Sequence, residues 1–259
     1  MLHLSKLRFP EVESLARSGR ALVILPVGAV EEHGPHLPLG LDTFAAEAYA
    51  EAAAPHLEES GYTVVLAPAV SYGVARQAID FPGTLTLEPA TLRALILDIA
   101  LSLARAGFKR QVVLNGHGEI PHVRALEEAA GALAEEKTAR MICVGFTSDP
   151  AITKACVREG TQGLSRSPRP DREGHAGEWE TSLALYCFPN LLDTQGLQKI
   201  EPNFDYDVDA LRAETKDFRT LTAGRGYFGS PAAASAETGK ALVSIRGRNI
   251  AQVILNAFH

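Results

Sequence analysis

Three cysteines, one tryptophan and two methionines are all that 259 residues contain of those types. Cys143, Cys156 and Cys187 are odd in number, far apart and never in a C-x-x-C pair. That pattern argues against a disulfide framework or a thiolate metal site and for free thiols in the interior. Long apolar runs are missing as well. The most hydrophobic stretch, Ala21 to Val30, is broken by Pro26 and Gly28, whereas a membrane-spanning helix needs about 20 apolar residues. Met1 to Pro10 lacks the apolar core and small-residue cleavage site of a secretory signal, so a cytoplasmic location is expected. Positive charge is not in excess: 25 Lys and Arg face 31 Asp and Glu, a net of -6. Neither nucleic acid nor membrane is therefore an expected partner, because a duplex-binding face is basic.

What is present is an alternation of short apolar runs and longer helical patterns. Ala21 to Val27, Tyr62 to Ala67, Arg110 to Leu114 and Arg140 to Phe146 read as strands. Between them, Asp42 to Glu59 reads as an Ala- and Glu-rich helix capped by Asp42, and Glu88 to Ala106 as a helix with Leu92, Leu95, Ile96, Ile99 and Leu103 on one stripe. Pro121 to Lys137 is a third helix, with proline in its first turn. Parallel strands need long crossovers, and helices of this length supply them. The predicted fold class is α/β, a three-layer sandwich with a mostly parallel central sheet and helices on both faces, in one domain over residues 1–259. Thr161 to Gly174 is a long loop carrying Arg166, Arg169 and Arg172, the composition of a lid or binding loop. His175 to Phe188 looks helical, residues 189–222 are mixed, and Pro231 to Phe258 holds a long amphipathic closing segment.

Three clusters carry chemistry. The first follows the first strand directly: between Pro26 and Asp42 lie Glu31, Glu32, His33 and His36, on a backbone path fixed by prolines and glycines. Ligands bind beyond the carboxyl ends of the strands in an open parallel sheet, and residues two apart on extended chain point to one side. Hard oxygens and imidazoles on such a frame suit Zn²⁺ or Mn²⁺. The second cluster, Asn115-Gly-His117-Gly118-Glu119, ends another predicted strand and again sets a histidine two residues from a carboxylate. The third is His175-Ala-Gly-Glu178-Trp179-Glu180-Thr-Ser, just after the long loop.

Together these segments resemble the creatininase family of metal-dependent amidohydrolases. The first is similar to that family's P-x-G-(S/A)-x-E-x-H-G-P-H-L-P-L-x-x-D signature, Asn115-Gly-His-Gly to its N-G-H-G step, and the third cluster to its H-A-G-x-x-E-T-S step. Gly226 to Gly239 resembles its C-terminal G-x-x-G-x-P-x-x-A-x-x-E-x-G, so four steps in order span about residues 26 to 239. The resemblance implies two divalent ions per subunit, Zn²⁺ or Mn²⁺. Glu31 and His117 would serve one, His33 and Glu119 the other, and Asp42 would bridge both. Many relatives have Gly where Glu119 stands and complete the second site with a Glu of the H-A-G-E step, so Glu119 and Glu178 are alternatives here.

The implied reaction is hydrolysis of a non-peptide C–N bond in a cyclic amide or formamide by a hydroxide held between the ions, since coordination lowers the pKa of water to about 7. His175 would shuttle the proton to the leaving nitrogen, with Glu178 as a second acid/base. His36, Gly118 and Trp179 would contact the small-molecule substrate. Creatininases proper carry an aromatic residue where Gly118 stands and tryptophans in the loop before H-A-G; here the only tryptophan is Trp179, and the loop offers arginines suited to a carboxylate or phosphate. The family's other activities stay open: a lactone-type hydrolase, a peptide-maturation enzyme, or a non-catalytic metal-binding homologue. A homo-oligomer, a hexamer, is implied by the resemblance alone.

Overall fold

Ala21–Val27 carries only apolar side chains and is buried along its whole length, so it requires cover on both faces. The computed structural model describes residues 1–258 and supplies that cover. Five strands, β1 (Leu2–His3), β2 (Ala21–Val27), β3 (Thr63–Leu66), β4 (Arg110–Asn115) and β5 (Arg140–Gly145), pair in parallel in the order β1-β3-β2-β4-β5. Around them run α1 (Phe9–Arg17), α2 (Leu41–Glu59), α3 (Pro89–Arg105), α4 (Ile120–Glu135), α5 (Pro150–Thr153), α6 (Glu178–Cys187), α7 (Thr194–Leu197), α8 (Val208–Arg212), α9 (Phe218–Leu221) and α10 (Ala236–Phe258).

The period of two along β2 divides the core. Ala21, Val23, Leu25 and Val27 join Leu92, Ile96, Leu126 and Leu133 of α3 and α4 on one face. Leu22 and Ile24 join Ala46, Ala50 and Leu57 of α2 and Ile250 and Ile254 of α10 on the other. The three-layer α/β architecture expected from the sequence is thus the one observed. Among the described residues no helix is long and apolar enough to cross a membrane, and all three cysteines are free, with Cys156 buried and the other two half-buried.

The connection from β2 runs through α2 to β3 on one side, and the chain then crosses back to β4 and β5 on the other. The loops leaving β2 and β4 therefore diverge between neighbouring strands, which opens a crevice at their carboxyl ends. Two glycines let the first turn of α2 drop into it. A Cβ on Gly28 would overlap the Thr43 backbone and hydroxyl, and one on Gly116 would overlap the Asp42 carbonyl oxygen. Asp42 is wedged in this way between the ends of β2 and β4.

Several expectations are corrected. Gly40, not Asp42, occupies the N-cap of α2; Asp42 lies inside the first turn and is buried. The third cluster enters its helix at Glu178 rather than His175, because Ala176 adopts φ +54°, a left-handed conformation that no helix interior accommodates. Leu95 is exposed rather than part of the buried stripe of α3. The helix α1 and the edge strand β1 precede the first expected strand, and residues 189–222 are a chain of short helices, three of them capped by the carboxylates of Asp193, Asp207 and Asp217.

Two alanine substitutions test the wedge. Gly116→Ala should destabilise by about 1–3 kcal/mol through overpacking, whereas Gly131→Ala, on α4 with open space around it, should stabilise by about 0.5–1 kcal/mol. Thermal unfolding should show opposite shifts in Tm.

Candidate metal centre

Three histidines and three carboxylates meet in the crevice. His33 is fully buried on the loop after β2, and its Nε2 lies 3.2 Å from Asp42 Oδ1, 3.8 Å from Glu31 Oε1 and 3.9 Å from Glu180 Oε2. His117, on the loop after β4, sets its Nδ1 3.0 Å from Asp42 Oδ2 and 3.3 Å from Glu31 Oε1. His175 sets its Nδ1 3.5 Å from Glu31 Oε1, and its ring lies 4.3 Å from that of His33. Asp42 thus turns one oxygen to each of two histidines. Two overlapping groups able to hold a metal ion follow, Glu31-Asp42-His117 and Glu31-His33-His175.

The far nitrogen of each ring is engaged by the main chain. His33 Nδ1 donates to the Glu31 carbonyl (3.1 Å), His117 Nε2 to the Val74 carbonyl (2.8 Å) and His175 Nε2 to the Glu32 carbonyl (2.8 Å). A carbonyl only accepts, so each of these nitrogens carries the proton and the nitrogen facing the carboxylates is left with its lone pair when the ring is neutral.

The electrostatics couple the imidazoles to the carboxylates. Burial alone would lower the His33 imidazole, yet Asp42, Glu180 and Glu31 together push it up to about 10. His117 is likewise raised against its burial by Glu31 and Asp42. Burial would raise the carboxyls of Glu31 and Asp42, but the imidazoles of His117 and His33 hold both below their usual values. Glu31 Oε2, His33 Nε2 and Asp42 Oδ2 are buried without a properly directed hydrogen bond, a cost that a divalent ion among oxygen and imidazole donors would remove. The residues fit Zn²⁺ or Mn²⁺.

The remaining sequence-predicted residues lie outside this set. Glu119 is buried and accepts from the Gln77 amide at 3.1 Å; burial raises its carboxyl to about 7. Glu178 is wholly buried and spends its oxygens on the Ser165 hydroxyl and the amides of Arg166 (2.5 Å) and Ser167 (3.1 Å). It anchors the long loop and is not among the residues grouped around the cluster. His36 is buried, paired through Nε2 with the Thr181 hydroxyl at 2.9 Å, and burial lowers it to about 4, so it joins the metal loop to α6 as a neutral ring. Gly118 is exposed beside Phe146, and Trp179 is half-buried on the first turn of α6. Two of the three loop arginines are committed within the protein: Arg169 forks onto Asp171, and Arg172 donates to the Tyr206 carbonyl and stacks on its ring.

Two residues were missed. Glu180 is the acid that directly precedes Thr-Ser in the third step, and that position was the available signal. His122, on α4, gave none. It accepts from the Val74 amide through Nδ1 and donates through Nε2 to Asn115 Oδ1, which also accepts from the His117 amide. His122, Asn115, Val74 and His117 therefore close a ring of hydrogen bonds behind the metal-facing nitrogen.

Such a cluster at the switch point of a parallel sheet makes this a metal-binding α/β protein. The comparisons agree and go further. The Creatininase family model, described as creatinine amidohydrolase, matches residues 5–254. A creatinine amidohydrolase of Pseudomonas putida is 30% identical over 98% of this chain and 96% of its own. A mycofactocin precursor peptide peptidase of Mycolicibacterium smegmatis is 33% identical over 65% of this chain and 59% of its own. A structure of creatininase with Mn superposes at a TM-score of 0.74, with 27% identity and 99% and 98% coverage. The chain belongs to the creatininase family of hydrolases.

Two predictions follow from the geometry. Histidines that must lose a proton to become ligands couple metal uptake to proton release; binding should liberate protons and tighten as pH rises from 6.5 toward the His33 value of about 10. Calorimetry in buffers of different ionisation enthalpy measures this. His122→Ala should weaken metal binding by about 10- to 100-fold through the loss of orientation of His117, read by competition with a chromogenic chelator.

Proposed function

We propose that the protein is a binuclear metal-dependent hydrolase of a C–N bond in a small cyclic amide or formamide. The observation that carries this reading is Asp42, whose two oxygens face two different histidines, the arrangement of a carboxylate shared by two ions. Glu31, Asp42 and His117 would hold one ion. His33, Asp42 and a second acid would hold the other; the contacts favour Glu180 over Glu119 for that acid. Zn²⁺ or Mn²⁺ bound there would activate water and polarise a carbonyl oxygen.

The chain's own residues supply the rest. His175, raised by Glu32 and Glu31 against burial and the neighbouring His33, is held at the cluster by the Glu32 carbonyl and would deliver a proton to the leaving nitrogen. Its Nδ1 faces the cluster, which gives proton transfer a direct path. The buried surroundings exclude bulk water and strengthen each charge interaction.

A peptide is the second reading. Gly118 favours it: the position is exposed and the atoms nearest a Cβ there belong to Phe146, so nothing on that residue caps the crevice. The 33%-identical peptidase is the relative that motivates it, while a 3-dehydro-scyllo-inosose hydrolase of Thermotoga maritima, 29% identical over 70% of this chain and 55% of its own, leaves a cyclic polyol ketone to be screened as well.

Elemental analysis of protein purified without chelators, joined to hydrolysis assays, tests the proposal. Two ions per chain are expected. Glu31→Gln and His117→Ala should lose both metal and activity, and His175→Ala should lose activity with metal retained. Loss of metal in His175→Ala would make it a ligand and overturn the division of roles; a metal content near zero that Zn²⁺ or Mn²⁺ does not restore would overturn the hydrolase.

A further inference from the structure

At the opposite edge of the sheet, where β2, β4 and β5 begin, lies a cleft of about 510 Å³ lined by Arg17, Lys109, Arg110 and Arg140 with Ala16, Gly19, Ala21, Gly107 and Phe258. Among the described residues no acid lines it. Arg110 and Arg140 are register partners on adjacent parallel strands, so two cations stand side by side where like charges repel. Both guanidiniums are nonetheless fixed. Arg110 donates one nitrogen to the Gly19 carbonyl at 2.8 Å and lies over the Tyr62 ring; Arg140 donates one to the Ala257 carbonyl at 2.6 Å and lies over the Phe258 ring. An arginine has five N–H donors, and these bonds use one of each, leaving the rest of two oriented forks uncommitted. Arg17 is steadied by Glu13, while Lys109 makes no ion pair among the described residues.

Helix ends account for part of this charge, since α1, α3 and α10 finish here and their carbonyl ends attract cations. They do not account for a concave space of small-molecule size lined by two anchored arginines from neighbouring strands. The geometry points to a binding site for a small phosphorylated molecule, separate from the metal centre at the other end of the same strands. Planar forks recognise phosphate oxygens in pairs, and Lys109 adds a mobile point charge.

The test is calorimetric titration of the full metal-loaded chain with inorganic phosphate and with glycerol 3-phosphate at constant ionic strength. Saturable binding is expected. Arg140→Gln should weaken it by about tenfold or more, a change of about 1.4 kcal/mol or more. Lys109→Gln, whose exposed side chain supports no structural contact, should weaken it measurably with Tm and hydrolysis unchanged. His117→Ala should leave it intact. Binding that survives the cleft variants and disappears in His117→Ala would place the anion on the metal centre and overturn the proposal. Heats no larger than those of chloride would also overturn it, and tighter binding of succinate than of either phosphate would replace phosphate by carboxylate.

Discussion

Three carboxylates gathered in one crevice, two of them buried and the third half-buried, are the constraint on which the rest of the molecule depends. Glu31 and Asp42 are nearly inaccessible and Glu180 turns inward to join them. Buried anions this close are tolerated only when a cation or protons stand between them. The carboxylates push the imidazoles of His33 and His117 upward, and the same oxygen and imidazole donor set suits a divalent cation. Much of the architecture serves to bring these groups together. Divergence of the chain at β2 and β4 opens the space, two glycines admit the first turn of α2, and α6 delivers the third acid from a distant part of the sequence.

Strands β2 to β5 and the long helices were legible because their apolar periodicity is strong and their ends carry Pro and Gly. Glu31, His33 and His117 were legible for a different reason: each sits within a few residues of a strand's carboxyl end, where sequence position and spatial position coincide, whereas Asp42, in the first turn of α2, was legible through the family signature. His175 and Glu180 reach the cluster only through tertiary packing. Ala176 turns the chain between them with a positive φ that its residue type does not announce, which is why a helix starting at His175 was the natural reading and why Glu178, the nearer acid, drew attention away from Glu180. His122 was illegible altogether, since a lone histidine on an amphipathic helix has no pattern to mark it.

The loop of residues 161–174 shows how a feature can be real while its first interpretation shifts. Its arginines suggested an anionic substrate, yet two of them are used to hold the loop in shape. Two acids hold it: buried Glu178 gathers Ser165, Arg166 and Ser167, and half-buried Glu173 accepts from the amides of Glu178 and Ser230. The first turn of α6, which carries Glu180, is thereby tied to the loop before it and to the segment that follows Phe228. Glu178 thus influences the cluster by placing its neighbour two residues on.

The histidines locate where rigidity and variability divide. Each points its far nitrogen at a main-chain carbonyl, of Glu31, Glu32 or Val74, and not at a side chain. Side-chain partners could be exchanged by substitution, but these carbonyls belong to backbone fixed by pairing with the sheet: Val27 bridges Val70, and Val30 bridges Leu85 across the same loops. Ring orientation and tautomer are therefore properties of the backbone path, and a metal centre built this way tolerates change around it. Gly118 illustrates the consequence. It sits between His117 and Glu119, yet its side-chain direction opens to Phe146 and solvent, so a side chain there would leave the backbone path of the histidines undisturbed.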